Sequence, residues 1–388
     1  MTKTADVVVI GSGVIGASVA YYNAKEGLKV ILVDKGDLAE GTSSKCDGNV
    51  LISDKEPGFD VKFAKASQDM FPGLSEELDY DIEWTQKGSL FVMDNEEELE
   101  VAKKFCADMV ALGMPMRMLD KKEVHEDEPF LAEDVPGGLE TKSDGSVYPM
   151  GLCYGLALQA EKLGAELSLH NAVTGIDQTA DGLLVHTEKE DILAKNVVNC
   201  AGVWAPKIGE MVGLNIPIEA RQGQILVSEQ TFQVARRKVH EFGYLMAKFQ
   251  TNGYKRKVSE RIEKNGVAFV FEPTHANNFL IGSSRRFVGE DVSSEIEVMQ
   301  ALAERAVRFF PVMKDIKIIR AYGGVRPFTP DHMPIISDTP VPGFYIAAGH
   351  EGDGIGLAPI TGKVIADKIA GREDFMDLTP LKFDRFLA

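Results

Sequence analysis

Three glycines near the start of the chain, Gly11, Gly13 and Gly16, take the spacing G-x-G-x-x-G between two short apolar runs, Asp6–Ile10 and Lys29–Val33. That spacing suits the pyrophosphate of a dinucleotide. Gly11 permits a tight turn, Gly13 lets backbone approach a phosphate, and Gly16 lets the next helix pack on its strand. A helical pattern follows through Ala17, Ala20 and Ala24, and Gly27 is placed to close it. Its first turn, with Val14 and Ile15, offers free N–H groups and a partial positive charge to an anion. Asp34 ends the second run, with Lys35 beside it, near the offset of about 20 residues at which a carboxylate takes ribose hydroxyls. A glycine motif alone is weak evidence. Set between two strands with its acid in place, it is a strong one for dinucleotide binding.

Two other places carry chemistry. The polar stretch 41–49 offers the hydroxyls of Thr42, Ser43 and Ser44 and the backbone of Gly48 and Asn49. Gly349, Gly352, Gly354 and Gly356 precede a helical pattern with Leu357, Ile360 and Val364 on one face.

The elements that must position these residues do not form a regular β-α-β series. Helical patterns occupy about 60–79, 95–112, 150–163 and 293–310. Strands are expected near 88–93, 166–177, 183–188, 196–202, 224–228, 267–272, 279–283, 315–322 and 344–348. The fold expected is α/β: a discontinuous Rossmann-like nucleotide domain over 1–79, 145–215 and 323–388, with a mixed-sheet substrate domain inserted as 80–144 and 216–322. Such discontinuity fits FAD enzymes better than NAD dehydrogenases.

The 388 residues exceed one ordinary core, and a net charge of −17 argues against nucleic acid or an anionic membrane surface as partner. Any anionic substrate then needs a local cation. Cys46, Cys106, Cys153 and Cys200 lack metal-ligand spacing and fit a reduced, cytoplasmic setting, so no metal is expected. The uncharged stretch 7–24 approaches the length of a membrane span, but three glycines interrupt it and no basic region precedes it. Membrane insertion is therefore not expected. A basic run (Arg236, Arg237, Lys238, then Lys255, Arg256, Lys257) reads as a solvated or partner-facing loop, or as a lid.

These residues together resemble the flavoproteins of the D-amino-acid-oxidase type, which include glycine oxidase, sarcosine oxidase and bacterial D-amino-acid dehydrogenases. The likeness rests on the N-terminal fingerprint, the 41–49 loop, Val197-Val-Asn-Cys-Ala-Gly-Val-Trp-Ala205, the 323–331 segment and the 347–359 segment. It implies FAD, with Val173 at the adenine, Ala201, Gly202 and Gly324 against the cofactor, and the turn Gly352-Asp353-Gly354-Ile355-Gly356 at the flavin pyrimidine. It implies that Arg326 holds the substrate carboxylate. Tyr254 or Tyr244 would hydrogen-bond or cover the substrate.

The reaction implied is hydride transfer from the amine-bearing carbon to flavin N5, giving an imine. Candidate substrates are a D-amino acid, a proline or hydroxyproline isomer, an N-methyl amino acid or an opine. The alternatives are a glycine oxidase of thiamine biosynthesis and a flavin-carrying subunit that hands electrons to a protein partner, for which the basic run would be the dock. Residues 323–332 lack the cysteine that links flavin in monomeric sarcosine oxidases, so FAD is expected to be non-covalent. A carboxylate at Asp353 beside the flavin would disfavour oxygen as acceptor, unless it turns away to cap the helix.

Overall fold

The computed structural model describes residues 2–249 and 253–387. Among these the strands form two eight-stranded sheets and one two-stranded sheet. The first sheet carries, in spatial order, Ile335–Asp338, Phe344–Ala348, Asp191–Asn199, Lys3–Ile10, Val30–Val33 and Glu166–Ser168. Its inner pairs are parallel and its Ile335–Asp338 edge is antiparallel. Val173–Thr179 and Gly182–Thr187 extend antiparallel from Asp191–Asn199.

A parallel sheet is covered on both faces, which is why its strands read as unbroken apolar runs. Val7, Val8 and Val9 are fully buried. The helix Val14–Lys25 lies against this sheet and packs on Pro149–Lys162 and Gly354–Ile369. Gly362 makes that last crossing possible, because a side chain there would overlap Ser18.

The second sheet runs Ile318–Phe328, Glu219–Ser228, Phe279–Gly282, Val270–Pro273, Lys238–Glu241, Ser89–Val92, Gly138–Thr141 and Met116–Leu119. Lys238–Glu241 pairs parallel with Ser89–Val92, and the other contacts are antiparallel. The amphipathic helix Ile296–Phe309 covers it, burying Val298, Leu302 and Phe309 in a core built around Phe269, Phe271 and Phe310. This is the mixed α/β architecture expected, a Rossmann-like sheet and a mixed sheet in one chain.

Four details differ from the sequence reading. The helix expected over 60–79 is broken into Phe59–Gln68 and Leu74–Leu78, since Pro72 lacks a donor and Gly73 turns left-handed at φ +82°. The strand expected over 166–177 divides at His170, which sits at φ +50°. The strand Ile318–Phe328 passes through residue 323 without interruption, so Gly324 and Arg326 belong to the second sheet.

The basic run is the fourth. Arg237 and Lys238 turn inward, where Arg237 pairs with Asp127 and Glu140 and Lys238 faces Glu272. Arg256 pairs with Glu241. Only Arg236, Lys255 and Lys257 are exposed, so the cationic dock read from this run is largely neutralised inside the fold. No helix among the described residues is long and apolar enough to cross a membrane.

Candidate active site

Both sheets wall a cavity of about 720 Å³, within the range of small-molecule and cofactor sites. The first strand ends at Gly11, whose φ of +109° is open to glycine and whose missing side chain leaves room for the Cys200 carbonyl. Gly13, Val14 and Ile15 line the cavity where the helix begins, and its first turn holds no acidic residue. Gly16 stands behind this turn. A side chain there would overlap the Gly11 carbonyl oxygen, so its work is close packing.

Asp34 lines the same end. Its carboxylate accepts from the Ser12 N–H at 2.5 Å, the Ser12 hydroxyl at 2.9 Å and the Gly36 N–H at 2.8 Å. It therefore braces the glycine turn and keeps lone-pair capacity for a further donor. Lys35 lies over the Trp204 ring at 3.7 Å, and Val173, Ala201 and Gly202 complete this end of the wall.

In the polar loop, Ser43 Oγ accepts from the Val14 N–H at 3.0 Å and Thr42 donates to the Val325 carbonyl at 2.5 Å. Both line the cavity, as does Asn49, whose amide oxygen is buried without a partner among the described residues. Ser44 and Gly48 do not line it. Ser44 donates to the Glu40 and Gly41 carbonyls, and the Gly48 N–H is held by Glu272. Cys46 is a wall residue whose thiol donates to the Ser43 carbonyl, and burial pushes its pKa up.

At the far end Gly352, Asp353, Gly354, Ile355 and Gly356 line the cavity where Gly354–Ile369 begins. Asp353 makes no side-chain cap on that helix. It pairs instead with Lys55 at 2.7 Å, and Lys55 also pairs with Asp54 at 2.5 Å. Burial alone would lower the Lys55 pKa, yet the charges of Asp353 and Asp54 push it above the ordinary lysine value. The carboxylate expected to repel oxygen-derived anions is thus offset by a cation. His350 is buried against Thr361 Oγ1 at 3.0 Å, and burial drives its pKa down to about 3, so it stands neutral.

Arg326 and Gly324 line the cavity from the second sheet. Arg326 donates to the Ser284 carbonyl at 3.0 Å and the Ser283 hydroxyl at 2.9 Å. Burial, then the neighbouring Arg285 and Arg221, lower its pKa to about 10, which leaves it charged at neutral pH. Gly223 lies under the guanidinium, and any side chain there would overlap it.

Tyr254 is placed elsewhere. It is absent from the cavity wall, and its hydroxyl donates to Glu98 at 2.5 Å while accepting from Asn95 at 3.1 Å. Tyr244 does line the wall, beneath the Arg285 guanidinium at 3.9 Å. Among the wall residues that sequence reading missed are Lys55, Arg221, His240 and Arg285. Each sits in an ordinary-looking charged or strand segment, and no local pattern marks it.

The structure fits FAD on its own terms. An acid-free helix start faces the cavity at the glycine turn, a second helix begins on the cavity at Gly354 with its N-cap Asp353 paired to Lys55, and Asn49 keeps an orphaned acceptor in the wall. This fold and site define a two-lobed flavin-dependent oxidoreductase. The chain belongs to the FAD dependent oxidoreductase (DAO) family, whose match spans residues 6–368.

Similarity to individual proteins extends along the whole length. The chain is 28% identical over 397 residues to the glycine oxidase of Geobacillus kaustophilus, covering 100% of this chain and 98% of that protein. It is 26% identical over 396 residues to an opine oxidase subunit of Rhizobium meliloti, covering 98% of this chain and 97% of that protein. The crystal structure of the Geobacillus kaustophilus glycine oxidase matches with a TM-score of 0.89 at 28% identity, over 100% of both chains. The protein is an FAD-dependent enzyme that oxidises an amine or amino acid.

Proposed function

We propose that the substrate is a small amino acid or N-substituted amino acid, oriented by Arg326 through its carboxylate. The observation that carries this reading is a charged guanidinium on the cavity wall whose terminal nitrogens meet only neutral oxygens, in a chain of net charge −17. A bidentate pair would fix one carboxylate and so the direction of the adjoining Cα–H. The substrate loses a hydride from that carbon and a proton from its nitrogen, and water hydrolyses the resulting imine. FAD, when bound, supplies the acceptor for the two electrons.

Residues at the glycine turn, Asp34, Thr42, Ser43, Asn49 and Val173 would hold the nucleotide part, and the turn 352–356 the ring end. Lys55 keeps that turn in place through Asp353. D-amino acids, proline isomers, N-methyl amino acids and opines remain the candidate classes, with glycine itself as an alternative. Anaerobic mixing of purified enzyme with a panel of these compounds tests the reading. Bleaching of the yellow colour by at least one class is expected, and no bleaching by any would overturn it.

The likeness to an opine oxidase subunit favours a second reading, in which this chain works beside another protein. Co-purification from native extract in a complex larger than the chain supports it; migration as the chain alone argues against it.

A further inference from the structure

Three guanidinium groups, not one, face the cavity: Arg221, Arg285 and Arg326. Arg221 and Arg326 are direct cross-strand partners in the antiparallel pair of Glu219–Ser228 with Ile318–Phe328, so both side chains leave one face of the sheet. The backbone bridge between Gln222 and Arg286 brings Arg285 alongside. Like charges set opposite each other on a sheet cost stability unless an anion separates them.

The carboxylates of the wall do not balance these charges. Arg221 donates to Glu351 at 2.8 Å, and Glu351 also takes His332 at 3.0 Å. Glu241 is engaged by Arg256 and Arg305, and Asp353 and Asp54 by Lys55. Asp47 lines the wall, but among the described residues no ion pair joins it to any of the three arginines. Arg326 meets only Ser283 and Ser284. Arg285 donates to the Ser283 carbonyl at 3.3 Å and stacks on Tyr244, with no carboxylate partner among the described residues.

Two guanidinium groups on one wall are therefore left without a carboxylate partner among the described residues, with Asp47 acting on Arg326 only through space, and a single ligand carboxylate accounts for one of them. A pyrophosphate does not account for the other. Its glycine turn belongs to the first sheet, whereas the arginines stand on the second. We infer that the ligand of this wall carries two carboxylates, one on Arg326 and the other on Arg285 over the Tyr244 ring. Resting on the amine-oxidising reading above, the substrate is then a dicarboxylic amine: an acidic amino acid or an amino acid whose nitrogen bears a carboxyalkyl group.

Titration of the oxidised holoenzyme with unreactive acids tests the charge assignment without turnover. Succinate and glutarate are compared with propionate and butyrate, followed by perturbation of the flavin absorbance. The dicarboxylates are expected to bind at least tenfold more tightly. Arg285→Gln should bring that ratio to within about twofold, while Arg285→Lys keeps part of it; flavin content and Tm of each variant check that it folds. Equal affinity of the two acid classes in the natural enzyme, or an unchanged ratio in a folded Arg285→Gln, would overturn the inference. A dicarboxylate preference without reduction by any amine would leave the charge assignment standing and sink the reaction instead.

Discussion

Lys55 Nζ lies 2.7 Å from Asp353 Oδ1, joining two loops 298 residues apart in the chain. The ammonium is buried and shared with Asp54, so one cation holds two carboxylates at the edge of the cavity. Lys55→Met should leave both without their partner. Removing one member of a buried pair costs about 3–5 kcal/mol, and the lower end applies because Asp353 is only partly buried.

The pH dependence of that variant has a definite sign. Burial would raise the Asp54 pKa, but Lys55 and Lys248 hold it near 2, so its contribution is present above 3.8 and lost as pH falls through about 2. Without Lys55, Asp54 protonates more readily. Urea unfolding at pH 7 and pH 5 should therefore show a smaller gap from the natural enzyme at pH 5. An equal gap at both would count against the arrangement.

Arg326→Ala should retain FAD yet slow anaerobic reduction by substrate by about 100-fold, the scale of a lost orienting contact. Arg326→Lys should recover little, because an ammonium lacks the planar fork. Stopped-flow reduction at saturating substrate measures both, and unchanged rates in the alanine variant would remove Arg326 from the site.

Gly223→Ala places a methyl group in the space of the Arg326 guanidinium. Substrate affinity should fall about tenfold, the worth of one displaced hydrogen bond, with flavin content unchanged. Loss of flavin in place of substrate affinity would show that this corner supports the cofactor.

Asp34→Ala should weaken FAD retention by about 1–3 kcal/mol, since it removes an acceptor for ribose and unbraces the Ser12 N–H of the glycine turn. Dialysis against flavin-free buffer, with flavin fluorescence in the dialysate, reads the loss. Acid precipitation of the natural enzyme should release all the yellow colour; colour held in the pellet would mean a covalent link.

His240 and His350 make the fold acid-labile. Burial, then Lys238, lowers the His240 pKa from 6.5 to about 4, and burial lowers that of His350 to about 3. Below pH 6.5 the unfolded chain binds protons that these rings refuse, so stability present above 6.5 is lost as pH falls toward 4. Each contributes on the order of 3 kcal/mol. Thermal unfolding between pH 7 and 4.5 should show this slope flattened in His240→Phe, and an unaltered slope would exclude the ring.

The dinucleotide turn was legible from sequence because its requirements are local. A left-handed glycine, a helix start free of acids and an acid at the next strand end all lie within residues 6–34. The glycine turn at 349–356 is likewise a short motif with fixed backbone needs, whereas Arg326 stands out in the sequence only through the family resemblance.

Charge compensation was not legible, because it depends on neighbours that only folding supplies. Arg237 and Lys238 looked like a solvated run until Asp127 arrived from a helix and Glu140 and Glu272 from other strands. Tyr254 looked available until Glu98 and Asn95 took its hydroxyl. Arg285 drew no notice, yet it keeps no carboxylate partner among the described residues while Arg221, one strand away, does. A sequence states which groups are charged; only tertiary structure decides which charges are already spent, because Coulomb attraction acts through space and not along the chain.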